Sequence, residues 1–328
     1  MGAWFIGGNP EFRLQVERIP SMSVVNPYSA GGMVTESAMF FGRDQELKRI
    51  RDRLRKGDST AILGLRRIGK SSLLYQLAQR GDALPEGAVA IYLDLQDATH
   101  HKPLELLGSA LRHLDRLLNR RFGFENIKSF SEFSEAIDRT YSDGFRPVFC
   151  LDEVESLLEH SAFNDEFFEC LRSLGNQRKL SFVTASGESL DLLLRRRKRT
   201  SPFYNIFVNI ELAGLSSAAP KSLLTEPFKA AGLSLPPREH LTEVMDIAGH
   251  YPFYLQLAAY HLFEARREVG VLDRYRLRQA FTKDAMYHFQ GLWRHLSPDE
   301  QAGVKRLAGL PVVVQDWDRT CADLIRSG

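Results

Sequence analysis

The 328-residue sequence predicts an α/β fold, a parallel sheet with helices on both faces, followed by an all-helical segment. Three observations carry this. Short runs that are apolar throughout alternate with stretches long enough to hold a helix, which is what a parallel sheet buried on both faces requires. A glycine-rich phosphate-loop pattern joins the first of these runs to a helical pattern. After Pro236-Pro237, up to about residue 305, the apolar residues recur at helical spacing.

Taken in order, residues 1–35 hold Gly7-Gly8, Pro10, Pro20, Pro27 and Gly31-Gly32 with little periodicity, and read as an irregular arm along the surface. An α/β domain is expected over 36–235. Its strands are Ala61–Leu63, Ala88–Leu93, Val148–Leu151, Phe182–Ala185 and Ile206–Leu212, with helices over Leu104–Leu118 and Phe133–Tyr141. A helical domain over 236–292 follows, with helices Glu239–Ala248, Phe253–Val269 and Asp273–Gln290. A last helix opens at Ser297, where a hydroxyl, Pro298 and the Glu300 carboxylate supply an N-cap, a first-turn proline and a capping box. Residues 293–328, with the β-branched run Val312–Val314, read as the start of a winged-helix-like segment.

Composition excludes several classes. With 44% hydrophobic and 26% charged residues the chain is neither disordered nor fibrous. Its 43 Lys and Arg nearly balance 41 Asp and Glu, so a grip on nucleic acid or an anionic membrane needs a local patch. Apolar runs fall far short of the ~20 residues that span a bilayer. Cys150, Cys170 and Cys321 form no C-x-x-C pair, which suits a reducing, cytoplasmic setting.

The strongest chemical signal is Gly64-Leu65-Arg66-Arg67-Ile68-Gly69-Lys70-Ser71, which matches G-x-x-x-x-G-K-[ST] between a strand and a helix. Glycines let backbone N–H groups approach phosphate oxygens, and the helix N-terminus adds partial positive charge. Lys70 is expected to reach the β- and γ-phosphates of ATP, and Ser71 to place a hydroxyl on Mg²⁺. The run Val148–Leu151 ends in Asp152-Glu153, an acid strand of Walker B type. Asp152 is expected to hold Mg²⁺ through its water shell and Glu153 to deprotonate the attacking water. The separation of Lys70 and Asp152 leaves room for an intervening strand, for which Ala88–Leu93 or its neighbours are candidates. The strand Ser181–Ser186 offers Thr184 and Ser186 as polar sensors of the γ-phosphate, or equally a hydroxyl-rich turn before Gly187.

These motifs resemble the ASCE division of P-loop NTPases, in which a glutamate beside the Walker B aspartate activates water. Phe40-Phe41-Gly42-Arg43-Asp44-Gln45-Glu46-Leu47 resembles the hhGRxxEL box of AAA+ and STAND ATPases, and the loop with Ser72-Leu73-Leu74 resembles the form common in archaeal-type STAND ATPases. Ala248-Gly249-His250-Tyr251-Pro252-Phe253 is similar to the glycine-and-proline motif of the STAND helical lid. The resemblance covers about residues 26–305 and departs at two points. His250 stands where the lid motif has a glycine, and Ser186 where many sensor strands end in arginine.

The resemblance implies a P-loop ATPase core with a helical lid, ATP or ADP with Mg²⁺ as cofactors, and a slow regulatory switch. Phe41, Gly42 and Arg43 would close over the adenine; Gly64, Arg66, Arg67, Ile68, Gly69, Lys70, Ser71 and Ser72 would hold the phosphates. Pro252 would pack near the nucleotide. Arg195–Arg199 read as a solvated basic loop, as an arginine finger centred on Arg199 that acts on a neighbouring subunit, or as a phosphate-backbone contact. Self-association on ATP binding and a separate protein effector are implied, with nucleic acid open and no membrane. The rival functions are an oligomeric AAA+ ATPase acting on DNA or protein, and a nucleotide-binding module without turnover. His100-His101 read as a surface loop, Tyr251 to Tyr260 as lid core, and Arg112, Arg116 and Arg120 as a wet helix face.

Overall fold

The computed structural model describes residues 25–29, 31–120, 127–196, 202–216, 218–268 and 274–307. Two compact units emerge. Met33–Ala219 form the first; the described residues of Met1–Gly32 and Pro220–Gly328 form the second.

In chain order the first unit contains α1 (Asp44–Leu54), β1 (Ser59–Leu63), α2 (Lys70–Gln79), β2 (Ala88–Asp94), α3 (Pro103–Leu118) and α4 (Phe130–Ser142). It continues with β3 (Arg146–Asp152), α5 (Glu155–Glu159), α6 (Asp165–Asn176), β4 (Ser181–Ser186), α7 (Leu190–Arg196) and β5 (Phe207–Glu211). All pairings are parallel, in the order β2-β3-β4-β1-β5. The strand runs expected from apolar composition are all present. Ala88–Asp94 does intervene in the chain between the phosphate loop and the acid strand, but it lies at the sheet edge beyond β3. In the sheet, β4 takes the place between β1 and β3.

Alternate residues of each strand face opposite sides. Ala61, Leu63, Ile91, Leu93, Phe149, Leu151 and Phe182 belong to one large core with residues of α3, α4, α6 and α7. Aromatic rings knit this side, with Phe149 and Phe182 edge to face at 6.1 Å and Phe182 and Phe203 at 5.6 Å. Helix α2 packs across β2, β3 and β4 and contributes nothing to that cluster, so it covers the other face. Both faces are therefore buried, which is why β1, β3 and β4 carry no polar alternation.

The second unit is helical: α8 (Ala219–Ala230), α9 (Arg238–Ala248), α10 (Pro252–Glu268), α11 (Arg274–His295) and α12 (Pro298–Leu307). The compact units divide between Ala219 and Pro220, after the first residue of α8, rather than near residue 235; Phe228 of α8 packs against Phe263 of α10 with ring centres 5.5 Å apart. Residues 1–24 of the expected arm lie outside the described residues, and at its described end the chain does not simply follow the surface. Tyr28 is buried among Phe228 and Phe263 and donates its hydroxyl to the Leu224 carbonyl, while Asn26 donates to the Tyr260 carbonyl and to Glu264. The capping box at the start of α12 forms as expected, with Ser297 N–H on the Glu300 carboxylate at 2.8 Å and Glu300 N–H on the Ser297 hydroxyl at 3.3 Å. Val312–Val314 lie outside the described residues, as does most of the winged-helix-like segment. Among the described residues no helix is long and apolar enough to cross a membrane.

Candidate functional site

The parallel register brings three strand ends to one edge of the sheet. Leu63 pairs with Ser186, and Leu151 with Thr184, so the phosphate loop, Asp152 and the β4 terminus leave the sheet side by side. This is the carboxyl edge, where open α/β sheets place ligands.

The loop from Gly64 to Ser71 runs from β1 into α2. Two glycines shape it for different reasons. At Gly64 a Cβ would press on the Ile68 side chain at 3.0 Å and the Leu212 carbonyl at 3.2 Å, so a side chain has no room. Gly69 caps α2 with a φ of 98°, and a Cβ there would meet nothing within 4 Å, so it is the backbone conformation and not lack of space that calls for glycine. Ile68 is buried beneath the loop, whereas Arg66 and Arg67 are exposed.

Lys70 is only 8% exposed, and its ammonium donates to the carbonyls of Gly64 at 2.9 Å and Leu65 at 3.2 Å. Burial lowers its pKa, opposed by the fields of Glu153, Glu155 and Asp152. Ser71 is partly exposed in the first turn of α2. The neighbouring Ser72 is buried, and its hydroxyl accepts the Val34 N–H at 3.0 Å, so it serves the packing of the preceding segment.

Asp152 is buried at the end of β3. One oxygen accepts the Tyr92 hydroxyl at 2.7 Å and the other the Glu153 N–H at 3.1 Å, which fixes the carboxylate. Glu153 turns sharply out of the strand with a φ of 52°, in a region costly for a residue with a side chain. Burial raises its pKa, and Glu155 and Asp152 raise it further. Glu155 completes an acidic trio: one oxygen accepts the Gly187 N–H beyond β4, and the other is buried without a partner.

The β4 hydroxyls split in behaviour. Ser186 donates to the Glu188 carbonyl at 2.7 Å, which makes it part of the strand-end turn. Thr184 is fully buried, with no partner for its hydroxyl.

Phe41 is partly buried, and Gly42 adopts a φ of 74° with room for no side chain, since a Cβ would fall 2.2 Å from that of Ala219. Arg43 is 3% exposed and fully engaged with its own unit, donating to the Ile68 and Ala213 carbonyls and to Glu46. Its guanidinium therefore braces main chain rather than standing open toward a base. Pro252 opens α10 in the helical unit. Arg195 and Arg196 end α7, pairing with Asp191 and Glu188, while Arg197, Lys198 and Arg199 lie outside the described residues.

His100 is buried, not on the surface, with Nδ1 2.6 Å from the Asp94 carbonyl oxygen. His101 stacks on His160 at 4.0 Å. Arg112, Arg116 and Arg120 are exposed, and Phe253 and Tyr254 are buried in the helical unit.

Sequence reasoning missed Tyr92, Glu155 and Gln76. Tyr92 pairs with Cys150 in register, so its contact with Asp152 follows only once β2 is known to neighbour β3. Glu155 carried a local signal, an acid two places after Glu153. Gln76, fully buried, donates to the Val34 and Thr35 carbonyls and accepts from Ser37, binding the 34–37 segment to α2.

Comparison with known proteins agrees with this geometry. No curated protein sequence matches the chain. The fold is similar to a Walker-type ATPase of Pyrococcus abyssi, with a TM-score of 0.62 and 17% identity over 90% of this chain and 92% of that one. The ORC2 protein of Aeropyrum pernix aligns with a TM-score of 0.59 at 16% identity, over 85% of this chain and 79% of that one. Cdc6p of Pyrobaculum aerophilum aligns at 0.50 and 15% identity, over 90% and 83%. A family model for an AAA domain matches residues 53–194. The model for Novel STAND NTPase 2 matches residues 142–309, half of the chain, and with the phosphate loop, acid strand and sheet order above it makes this protein a member of that family of AAA+-like P-loop ATPases.

Proposed function

We propose that the protein binds and hydrolyses Mg-ATP as a regulatory switch, coupling nucleotide state to a change in the arrangement of its units and to self-association. The observation that carries this reading is the meeting of Lys70, Ser71, Asp152 and Glu153 at one sheet edge. A buried ammonium resting on two loop carbonyls, opposite three carboxylates, suits a site that takes up phosphate oxygens together with a divalent cation.

When bound, Mg-ATP supplies the phosphoryl group and the metal that neutralises its charge. Lys70 would exchange the Gly64 and Leu65 carbonyls for phosphate oxygens. Ser71 and Asp152 would hold the cation, the latter in the orientation fixed by Tyr92. Glu153, directed out of the strand by its backbone and held above its ordinary pKa, would accept the proton of the attacking water. Burial of Cys150 and the free state of Cys170 suit a reducing cytoplasmic setting.

The test is ATP hydrolysis and the affinities for Mg-ATP and Mg-ADP, with light scattering in each nucleotide state. Turnover together with ATP-dependent assembly supports the switch. Binding without turnover or a size change favours a passive nucleotide module, and turnover that rises with added DNA favours a nucleic-acid-acting ATPase.

A further inference from the structure

Arg43 bonds to main chain on two separate segments beside the phosphate loop. One terminal nitrogen, Nη2, donates to Ile68 O at 3.0 Å and to Ala213 O at 2.8 Å, while Nη1 donates to Glu46 at 3.0 Å. Ile68 immediately precedes Gly69, the cap of α2; Ala213 immediately follows the last rung of the β1–β5 ladder, the Leu212 N–H on the Leu63 carbonyl at 2.7 Å. The guanidinium thus ties the phosphate loop to the segment after β5. That segment is pinned at both ends. Leu212 abuts Gly64 at its start, and Ala219 sits so close to Gly42 that only glycine fits there. From Ala219 the chain runs directly into α8 and the helical unit.

We propose that Arg43 is a positioning residue that transmits the state of the phosphate loop to residues 213–219, and so to the start of α8. The proposal rests on the nucleotide reading above. The two N–H groups of one nitrogen in a planar, rigid guanidinium hold both carbonyls, so an Ile68 carbonyl fixed by ligand binding fixes the Ala213 carbonyl as well. The charge is almost without water and is balanced by Glu46, 19% exposed, which makes the brace costly to break by fluctuation.

Segment-resolved hydrogen exchange tests this at saturating Mg-ATP, for the wild type and for Arg43→Lys and Arg43→Gln. The lysine keeps the charge without the planar guanidinium that reaches both carbonyls and Glu46 at once; the glutamine keeps an amide donor without the charge. Using both preserves the readout if one variant fails to fold, as judged by thermal melting. In the wild type, nucleotide is expected to slow exchange about tenfold in residues 64–71 and in residues 213–230. In the variants the slowing over 64–71 persists and that over 213–230 is lost. Slowing of both segments in the variants overturns the coupling. Loss of both at saturation also overturns it, because Arg43 would then be a nucleotide contact. A wild type with no protection of residues 64–71 overturns the nucleotide reading itself, and the coupling with it.

Discussion

Both units bury charge, but they satisfy it differently. In the helical unit Arg266, 1% exposed, donates to the Ser234 carbonyl and hydroxyl at 3.0 Å each, under the face of the Phe228 ring. Glu243, 5% exposed, accepts from Arg278. In the α/β unit Lys70 leans on carbonyls of its own loop while three carboxylates face it, and an oxygen of Glu155 and the Thr184 hydroxyl have no partner. A buried charge held on fixed neighbours of its own unit, a main-chain carbonyl, a hydroxyl and a ring face, is structural. A charge resting on carbonyls of its own loop, opposite carboxylates, can exchange its partners; the units differ in that respect and not in unpartnered buried polar atoms, which both contain.

This contrast can be broken by substitution on either side. The largest effect is expected from Glu153→Gln, which should lower turnover by about 100-fold or more while Mg-ATP still binds, as measured by phosphate release and calorimetry. A variant with wild-type turnover would remove Glu153 from catalysis. Lys70→Ala should weaken nucleotide binding by about 10- to 100-fold, the worth of hydrogen bonds to charged phosphate oxygens. Arg266→Ala should do the reverse, lowering stability to urea by about 2–4 kcal/mol through lost packing and the orphaned Ser234 groups, with nucleotide affinity unchanged. Altered affinity in that variant would blur the distinction between the units.

The smallest effect concerns pH. The Glu153 pKa is raised in the folded state, so wild-type stability falls as pH climbs from the ordinary glutamate value, ~4.3, through the raised one. Glu153→Gln removes that loss. Its melting temperature should match the wild type at acidic pH and exceed it near neutrality, and an offset that does not change with pH would show that ionisation of Glu153 is not its cause.

Features encoded within a few consecutive residues were legible in the sequence. The β-strands from Ala61, Ala88, Val148, Phe182 and Ile206 were marked by apolar runs, the loop at Gly64–Ser71 and the acids at Asp152-Glu153 by fixed spacing, and the α12 cap by Ser297 and Glu300. What escaped depends on partners distant in the chain. Whether Ser186 points at a ligand or closes a turn is decided by the Glu188 carbonyl, and a hydroxyl at a strand end looks the same in either case. Arg43 was marked as part of a motif, but its bonds to Ile68 and Ala213 depend on how β5 lies beside β1. Tyr28 read as arm because no local pattern announces a ring that packs between Phe228 and Phe263.

That last contact bears on how the chain is divided. The helical unit is discontinuous: Asn26 and Tyr28 belong to it, the following residues from Val34 are bound to α2, and the chain returns only at Pro220. Topologically the α/β unit is an insert within the helical one. A gene fragment starting at Pro220 would therefore encode an unplugged unit, missing a tyrosine ring and its hydrogen bond to Leu224, and would be recovered whole only on adding back a peptide that carries Asn26 and Tyr28.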